Sequence, residues 1–312
     1  SAQTKEGSAQ TKEGSAQTKE GSAQTQEGSA QTEEDSAQTQ EDSAQTRKAA
    51  LAPAPAADPA LTTPAAGSAT TSTTNVIKVV NNWVGAAAKE LKIRLSNVNI
   101  KVEKKVNKAA MDVSGDGKTK VELDGQNVLD SYGTDYPASY QAGLRKQGEG
   151  TLIITDETDD RGNEITATKS GTSGSLTAKG AGGNGAAGIG GSAAEGTKNI
   201  TIEGYATVHA TGSGNGAGIG GGGYYGKEKP GDAENIIIQG YATVDATGDG
   251  GGAGIGGGFA GNAKNIIIRG HSKVKATARD GAAIGGGSAG WGSYYGGSAK
   301  GIVICDHATV AA

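Results

Sequence analysis

Three side chains that could do acid–base chemistry occupy the same place in three successive repeats of the chain's second half. They are His209, Asp245 and Lys275, each in the middle of a short segment in which apolar and polar residues alternate. If the repeats stack as strands, these groups are neighbours at roughly 5 Å, close enough to influence one another's ionisation. The alternative is a solvated row of mixed charges, which stabilises by only about 0–1 kcal/mol. We favour the solvated row.

Two acidic clusters carry oxygen ligands of the kind that Ca²⁺ prefers. Asp112 and Asp116 alternate as in a calcium loop, but Leu123 stands where such a loop has its bidentate glutamate. Either cluster predicts a weak Ca²⁺ site, and an ordinary acidic turn is the favoured alternative. No zinc site or other cofactor is predicted. The second cluster consists of Asp156, Glu157, Asp159 and Asp160.

Aromatic residues concentrate in two glycine-rich insertions at equivalent places two repeats apart. Exposed rings are usual marks of a binding surface, and the flat C–H faces of sugars suit them. The insertions therefore predict a polysaccharide or glycan site, with plain loop packing as the alternative. The residues of this predicted site are Tyr224, Tyr225, Trp291, Tyr294 and Tyr295.

A second aromatic line has one member in each of the last four repeats. Its members would stack vertically if the repeats do, and a vertical stack covers and stiffens a corner of the fold. We favour that structural interpretation over ligand binding. The line consists of Tyr205, Tyr241, His271 and His307.

All these residues are positioned by a five-residue motif that returns seven times. It reads apolar, any, apolar, any, and then Gly, Asn or Asp, the residue types that tolerate positive φ. Each copy therefore predicts a short strand that ends in a left-handed bend. The copies are Ile93–Asn97, Val121–Gly125, Leu152–Asp156, Ile200–Gly204, Ile236–Gly240, Ile266–Gly270 and Ile302–Asp306.

The last four copies add a second strand after the bend and a glycine-rich third segment. Three short strands per repeat predict an all-β solenoid, a parallel β-helix of about seven coils with three strands each. Each fully buried Ile or Val stabilises by roughly 1.5–3 kcal/mol, so stacked aliphatic rows replace an aromatic core. The residues predicted to face the interior of one coil are Ile200, Ile202, Val208, Ala210, Ala217 and Ile219.

The glycine-rich string Gly216–Gly222 and the Asn-Ile-Ile-Ile-x-Gly string at Asn235 and Asn265 carry a resemblance. The chain resembles the right-handed parallel β-helices of the pectate-lyase-like class, and bacterial surface proteins of the carbohydrate-binding type. The resemblance covers about residues 75–312. It implies a right-handed coil and an asparagine ladder through residues 199, 235 and 265, from which Gly301 departs.

The first 74 residues differ in composition from the rest of the chain. Residues 1–49 repeat Ser-Ala-Gln-Thr in heptads that lack two apolar seam positions, so we predict a disordered spacer rather than a coiled coil. Residues 50–74 form a Pro-, Ala- and Thr-rich linker. The β-helix is predicted over residues 75–312, with residues 75–92 as a cap and an incomplete last coil. We expect the chain to continue into further repeats of a longer protein.

The composition gives no support to several classes of function. The net charge of −4 comes with scattered Lys and Arg, so no basic stripe predicts nucleic-acid binding. No run of 18 apolar residues predicts membrane insertion. The one cysteine, Cys305, excludes an intramolecular disulfide, and we assign it no role.

The leading functional hypothesis is a non-catalytic module that binds polysaccharide or mediates adhesion, held out from a cell surface or secreted. One alternative is a polysaccharide lyase or glycoside hydrolase that uses His209, Asp245, Lys275 or the acidic loop. The other is a purely structural rod within a larger surface protein. An extracellular location is expected from the repeats and from the resemblance.

Overall fold

The computed structural model describes most of the chain from residue 72 onward. The aliphatic strands and glycine-rich turns of this part fold into one continuous solenoid. Residues 1–71, which comprise the N-terminal spacer and all but the last three residues of the linker, lie outside the described residues. The described ranges are 72–85, 90–103, 105–131, 140–158, 174–183, 185–223, 230–289 and 295–312.

Within the described residues, the strands form three parallel sheets of seven strands each. Sheet 1 contains β1 (Ile77–Val80), β4 (Met111–Ser114), β7 (Leu144–Lys146), β10 (Ile189–Gly190), β13 (Ile219–Gly220), β16 (Ile255–Gly256) and β19 (Ile284–Gly285). Sheet 2 contains β2 (Leu91–Ser96), β5 (Thr119–Asp124), β8 (Leu152–Asp156), β11 (Thr197–Gly204), β14 (Ala233–Ile238), β17 (Ala263–Ile268) and β20 (Ala299–Ile304). Sheet 3 contains β3 (Asn99–Lys101), β6 (Gln126–Asp130), β9 (Ser175–Lys179), β12 (Thr207–Thr211), β15 (Thr243–Thr247), β18 (Lys273–Thr277) and β21 (Thr309–Ala311).

The chain visits the sheets in the order 1, 2, 3 and then begins the next coil, so coil 1 is β1 to β3 and coil 7 is β19 to β21. This is a right-handed parallel β-helix, the hand that parallel crossovers favour. The predicted fold, with seven coils and three strands per coil, is confirmed. Coil 7 holds β19, β20 and β21, one strand in each sheet. Residues 75–92, predicted as a cap, include β1 of coil 1.

Equivalent side chains stack in register through the interior. Ile200 pairs with Ile236, Ile236 with Ile266, and Ile266 with Ile302. The predicted interior positions are confirmed, since the side chains of the coil that the sequence singled out are buried. These stacked rows form one continuous hydrophobic core along the axis.

The predicted left-handed bend is present in six of the seven motif copies. The residues Gly204, Gly240 and Gly270 have φ of 66°, 70° and 75°. Asp156 is the exception: it does not have positive φ and instead ends β8 as a buried side chain. Its carboxylate accepts a hydrogen bond from the backbone N–H of Gly174 at 2.5 Å, on the far side of a long insertion. The insertion removes the need for a tight bend in this coil.

The asparagine ladder is also present. Asn199, Asn235 and Asn265 have φ of 58°, 56° and 55°. The Asn235 side chain donates to the Asn199 side-chain oxygen at 2.9 Å, and Asn265 donates to Asn235 at 2.8 Å. Gly301, which lacks the amide, keeps the same backbone conformation with φ of 71°. The ladder therefore fixes the point where each coil turns into sheet 2.

Candidate binding surface at the corner between sheets 2 and 3

The second aromatic line forms a continuous column at the corner between sheets 2 and 3. The rings of Tyr205 and Tyr241 are stacked with centroids 5.1 Å apart and planes 6° from parallel. Tyr241 meets His271 edge to face at 5.0 Å, and His271 meets His307 at 4.8 Å. Tyr241 is 47% exposed, and both histidines are exposed. The column spans four coils, and three of its four rings are exposed to solvent.

A hydrogen-bonded polar ladder runs beside this column on sheet 2. The Gln239 side-chain amide donates to the Glu203 carboxylate at 2.6 Å. The Arg269 guanidinium donates twice to the Gln239 oxygen, at 2.9 and 2.6 Å. These bonds fix the three long side chains in one arrangement, so the side chains form a continuous wall.

An open groove of about 380 Å³ lies along the polar ladder. Three of its bends are glycine, which adopts the left-handed conformation without the cost that a Cβ brings. The absence of side chains at these three bends leaves a low strip beside the ladder. The bend residues that line the groove are Gly204, Gly240, Gly270 and Asp306, and Glu157 lines it as well.

An outward aliphatic row flanks the ladder on its other side, and the sequence reasoning missed it. The signal was present: in a strand of period two, the middle of three consecutive isoleucines must face away from the core. Ile237 and Ile267 are half-buried on this outer face, and Val303 is 45% exposed. The row, paired in register across sheet 2, consists of Ile153, Thr201, Ile237, Ile267 and Val303.

A second cleft, of about 250 Å³, lies on the outer face of sheet 2 in the first coils. Two ion pairs occupy this region: Arg94 pairs with Asp124 at 2.8 Å, and Lys120 pairs with Glu157 at 2.6 Å. Burial lowers the pKa of Lys120, but the hydrogen bond and charge of Glu157 outweigh it and the pKa is raised. The Glu122 carboxylate accepts backbone and side-chain hydrogen bonds from Thr158. This cleft is a structural ion-pair network.

Most of the predicted tyrosine-loop site lies outside the described residues. This holds for Tyr224, Tyr225, Trp291 and Tyr294. Tyr295 is described and is 92% exposed. The loop site therefore stays a prediction, with one ring known to face solvent.

The predicted acid–base row is assembled as expected. His209 pairs in register with Asp245, and Asp245 with Lys275, on the outer face of sheet 3. The ammonium of Lys275 lies 3.5 Å from the Asp245 carboxylate, and the Lys275 side chain is 62% exposed. An exposed pair of this kind is the geometry of a solvated charge row.

The predicted metal ligands have other neighbours. Asp112 faces the Arg145 guanidinium at 3.8 Å; burial raises the pKa of Asp112, and Arg145 opposes that rise. Asp116 accepts a hydrogen bond from the backbone N–H of Glu149 at 3.1 Å. In the part of the chain that the structure describes, no group of three His, Cys, Asp or Glu side chains could hold a metal ion. Asp159 and Asp160 lie outside that part, so Ca²⁺ binding there stays a prediction.

Burial sets the ionisation of two further groups. It raises the pKa of Asp156 to about 6, and the hydrogen bond from Gly174 opposes that rise. It lowers the pKa of Lys146 to about 8, although the Lys146 ammonium donates to the carbonyl oxygens of Gln147 and Gly148 at 3.0 Å each. The single cysteine, Cys305, is a free, half-buried thiol. None of these groups faces the groove of the corner surface.

No helix among the described residues is long and apolar enough to span a membrane. Comparisons with protein-family models, with curated proteins and with solved structures gave no match.

Proposed function

We propose that this chain is a non-catalytic β-helix module that binds polysaccharide or glycan along the corner between sheets 2 and 3. The observation that carries the proposal is the four-coil aromatic column beside a glycine-floored groove. In this proposal the module acts extracellularly or at a cell surface, and the N-terminal repeats hold it out.

The corner suits a polymer because its chemistry repeats along one direction. Aromatic positions recur in coils 4 to 7, and the bend glycines and polar ladder residues recur in coils 4 to 6, at the spacing of roughly 4.8 Å between parallel strands. A chain of linked sugars lying along the axis would meet the same set of groups several times. Several weak contacts on one ligand then add into a useful affinity.

The groups of the corner match what a sugar offers. Because Tyr205 and Tyr241 stack face to face, a ligand meets their edges and phenol hydroxyls, which exchange hydrogen bonds with sugar hydroxyls. Arg269 and Glu203 line the groove and supply a donor and an acceptor. The half-buried Ile267 side chain adds an apolar surface for sugar C–H groups.

The test removes the two stacked rings. We expect Tyr205→Ala with Tyr241→Ala to weaken retention by a bound polysaccharide at least about tenfold, equal to about 1.4 kcal/mol. Thr207→Ala with Thr243→Ala is the matched control, because these residues lie in the same two coils on the outer face of sheet 3. Affinity electrophoresis against neutral, acidic and amino polysaccharides measures the effect. Unchanged migration of the tyrosine variant, with its melting temperature preserved, would refute the corner site.

A separate variant decides between the corner and the loops. Tyr295→Ala removes the exposed ring of the predicted loop site and leaves the corner intact. If the corner is the site, this variant binds like the unmodified protein. A loss confined to Tyr295→Ala would move the site to the loops.

Product analysis of the same mixtures addresses the enzymatic alternative. We expect no new reducing or unsaturated sugar ends, with or without added Ca²⁺. Products that disappear in His209→Ala or Asp245→Asn would establish a lyase or hydrolase instead.

A further inference from the structure

The groove of the corner surface carries charges of alternating sign along its length. Glu203 of coil 4 and Arg269 of coil 6 line it on either side of the uncharged Gln239, and Asp306 lies one coil beyond Arg269. Two coils of parallel strands separate Glu203 from Arg269, which is about 10 Å. Along the axis, the groove is therefore negative, neutral, positive and negative again.

The first two of these charges keep binding capacity for a ligand. A guanidinium has five N–H donors, and Arg269 uses two of them on the Gln239 oxygen. One oxygen of the Glu203 carboxylate accepts from the Gln239 amide, and the other accepts no hydrogen bond among the described residues. Neither side chain is in an ion pair within the part of the chain that the structure describes. A ligand can therefore bond to both charges without displacing Gln239.

Charges elsewhere on coils 5 and 6 neutralise each other directly. On sheet 2, Lys264 lies 2.6 Å from Glu234, and on sheet 3, Lys275 lies 3.5 Å from Asp245. Unlike charges on adjacent coils therefore come within pairing distance. The groove differs because the neutral Gln239 stands between its unlike charges and keeps them one coil further apart.

The other two carboxylates of the groove have partners of their own. Asp306 accepts a hydrogen bond from the backbone N–H of Gly270 at 3.2 Å. Glu157 pairs with Lys120 at 2.6 Å. These contacts hold both carboxylates in place at the two ends of the groove.

This pattern disfavours a ligand with charges of one sign only. A polymer that carries only carboxylates would meet like charges at Glu203 and Asp306, and a polymer that carries only amines would meet one at Arg269. Like charges brought together across an interface repel, and such contacts discriminate against wrong partners. A polymer that carries both signs can place each charge opposite its complement.

We propose, on the basis of the proposed function, that the polysaccharide bound at the corner is zwitterionic and carries both ammonium and carboxylate groups. An ammonium group of the polymer pairs with Glu203. A carboxylate two coils along pairs with Arg269, whose guanidinium offers parallel N–H groups to the two carboxylate oxygens. The uncharged parts of the same sugars contact the rings of Tyr205 and Tyr241 in coils 4 and 5.

Four forms of one polymer test this charge pattern. Hyaluronan alternates a uronic acid with N-acetylglucosamine and is purely anionic, and N-deacetylation makes it zwitterionic. Carboxyl reduction of these two forms gives a neutral and a purely cationic form. With each form immobilised on a biosensor, we expect the full chain to bind the zwitterionic form at least about threefold more tightly than any other, the size of effect that exposed charges produce. Tightest binding to a form of one sign, or to the neutral form, would overturn the proposal.

Two neutral substitutions assign each charge to its residue. Glu203→Gln keeps an oxygen for the Gln239 amide, and Arg269→Gln keeps an N–H for the Gln239 oxygen, so both preserve the ladder. We expect Glu203→Gln to weaken binding about threefold for the two amine-bearing forms and not for the others. We expect Arg269→Gln to do the same for the two carboxylate-bearing forms. A merely structural role would weaken binding of all four forms alike, and that result would refute the assignment.

Glu234→Gln and Lys275→Gln are the matched controls, since each removes the same charge from a pair outside the groove. Both are expected to bind all four forms like the unmodified chain. Equal effects of the controls and the groove variants would mean that net charge, not the groove, selects the polymer.

Failure of the proposed function has a different signature, because binding would then survive Tyr205→Ala with Tyr241→Ala. Loss of binding in that variant, together with unchanged selectivity in Glu203→Gln and Arg269→Gln, would retain the corner site and reject the zwitterionic ligand.

Discussion

Coils 2 and 3 and coils 4 to 6 build the same cross-section in two different ways. In coils 4 to 6, identical side chains stack, and sheet 1 is reduced to Ile-Gly pairs such as Ile219–Gly220. In coils 2 and 3, larger and more varied side chains fill the interior, and charged groups are buried as well. The large buried side chains of coils 2 and 3 are Met111, Leu123, Leu129, Leu144, Leu152, Ile154 and Leu176.

The comparison shows where charged side chains are buried. Close backbone approaches that only glycine fits occur in both kinds of coil, as at Gly220 against Gly256 and at Gly150 against Gly117. Where successive coils differ, long side chains form hydrogen bonds with backbone groups. In coil 3 the ammonium of Lys146 caps two turn carbonyls, and the carboxylate of Asp156 holds Gly174 across an insertion. Among the described residues, the buried charged side chains Asp124, Lys146 and Asp156 all lie in coils 2 and 3, whereas the polar contacts of coils 4 to 6 are ladders between equivalent positions.

The largest expected effect is on the close approach of the regular coils. A Cβ at Gly220 would overlap the carbonyl oxygen of Gly256, so we expect Gly220→Ala to lower the free energy of unfolding by more than about 4 kcal/mol. Gly285→Ala is the matched control: its φ is similar, but the closest atom is the Ala282 Cβ at 3.2 Å. The control should cost about 1–3 kcal/mol from backbone strain alone. Urea unfolding followed by circular dichroism measures both, and equal losses would contradict the close-approach argument.

The next effect concerns the aliphatic rows. We expect Ile266→Ala to lower the free energy of unfolding by about 2–5 kcal/mol, because the side chain is fully buried and its removal leaves a cavity. The directly paired Ile302→Ala should cost less than half as much, since Ile302 is 36% exposed. The comparison is made by urea unfolding. Equal losses for Ile266→Ala and Ile302→Ala would contradict burial as the cause.

A pH effect is expected from the buried lysine of coil 3. Burial lowers the pKa of Lys146 to about 8, below its unfolded value of 10.5. Below pH 8 both states carry the charge, and the folded state bears its full burial penalty. As the pH rises from about 8 toward 10.5, the folded state loses the proton first, so this group's contribution to stability rises with pH. Unfolding measured across this range should show that rise in the unmodified chain and not in Lys146→Met.

The smallest expected effect comes from Asp156, whose contribution to stability falls as the pH rises, opposite to that of Lys146. Burial raises its pKa to about 6 from 3.8, so its favourable contribution is complete below about pH 4 and is lost as the pH rises through 6. Asp156→Asn keeps an acceptor for the Gly174 N–H and cannot ionise. Between pH 4 and 6 the stability difference between this variant and the unmodified chain should shift in favour of the variant. A difference that is flat over this range would contradict the raised pKa.

The sequence predicted the regular coils better than the irregular ones. The alternation in Ile200–Gly204 and its later copies is strict, and each copy repeats the previous one, so both the inward rows and the aromatic column could be read from it. Asp156 fits the same motif but lies before a long insertion, and it takes a buried, extended conformation instead of a bend. Lys146 reads as an ordinary surface residue, because its burial depends on turn carbonyls and on neighbouring coils.

The amino-acid sequence by itself determined the period, the inward and outward alternation and the repeated left-handed bend, because these depend on neighbours within a few residues. The tertiary structure alone decided which outward rows lie side by side to form a groove. It also decided which charged groups are buried. Those features depend on contacts between residues about thirty or more positions apart, such as Gln239 with Glu203, whose geometry is fixed only when the coils stack.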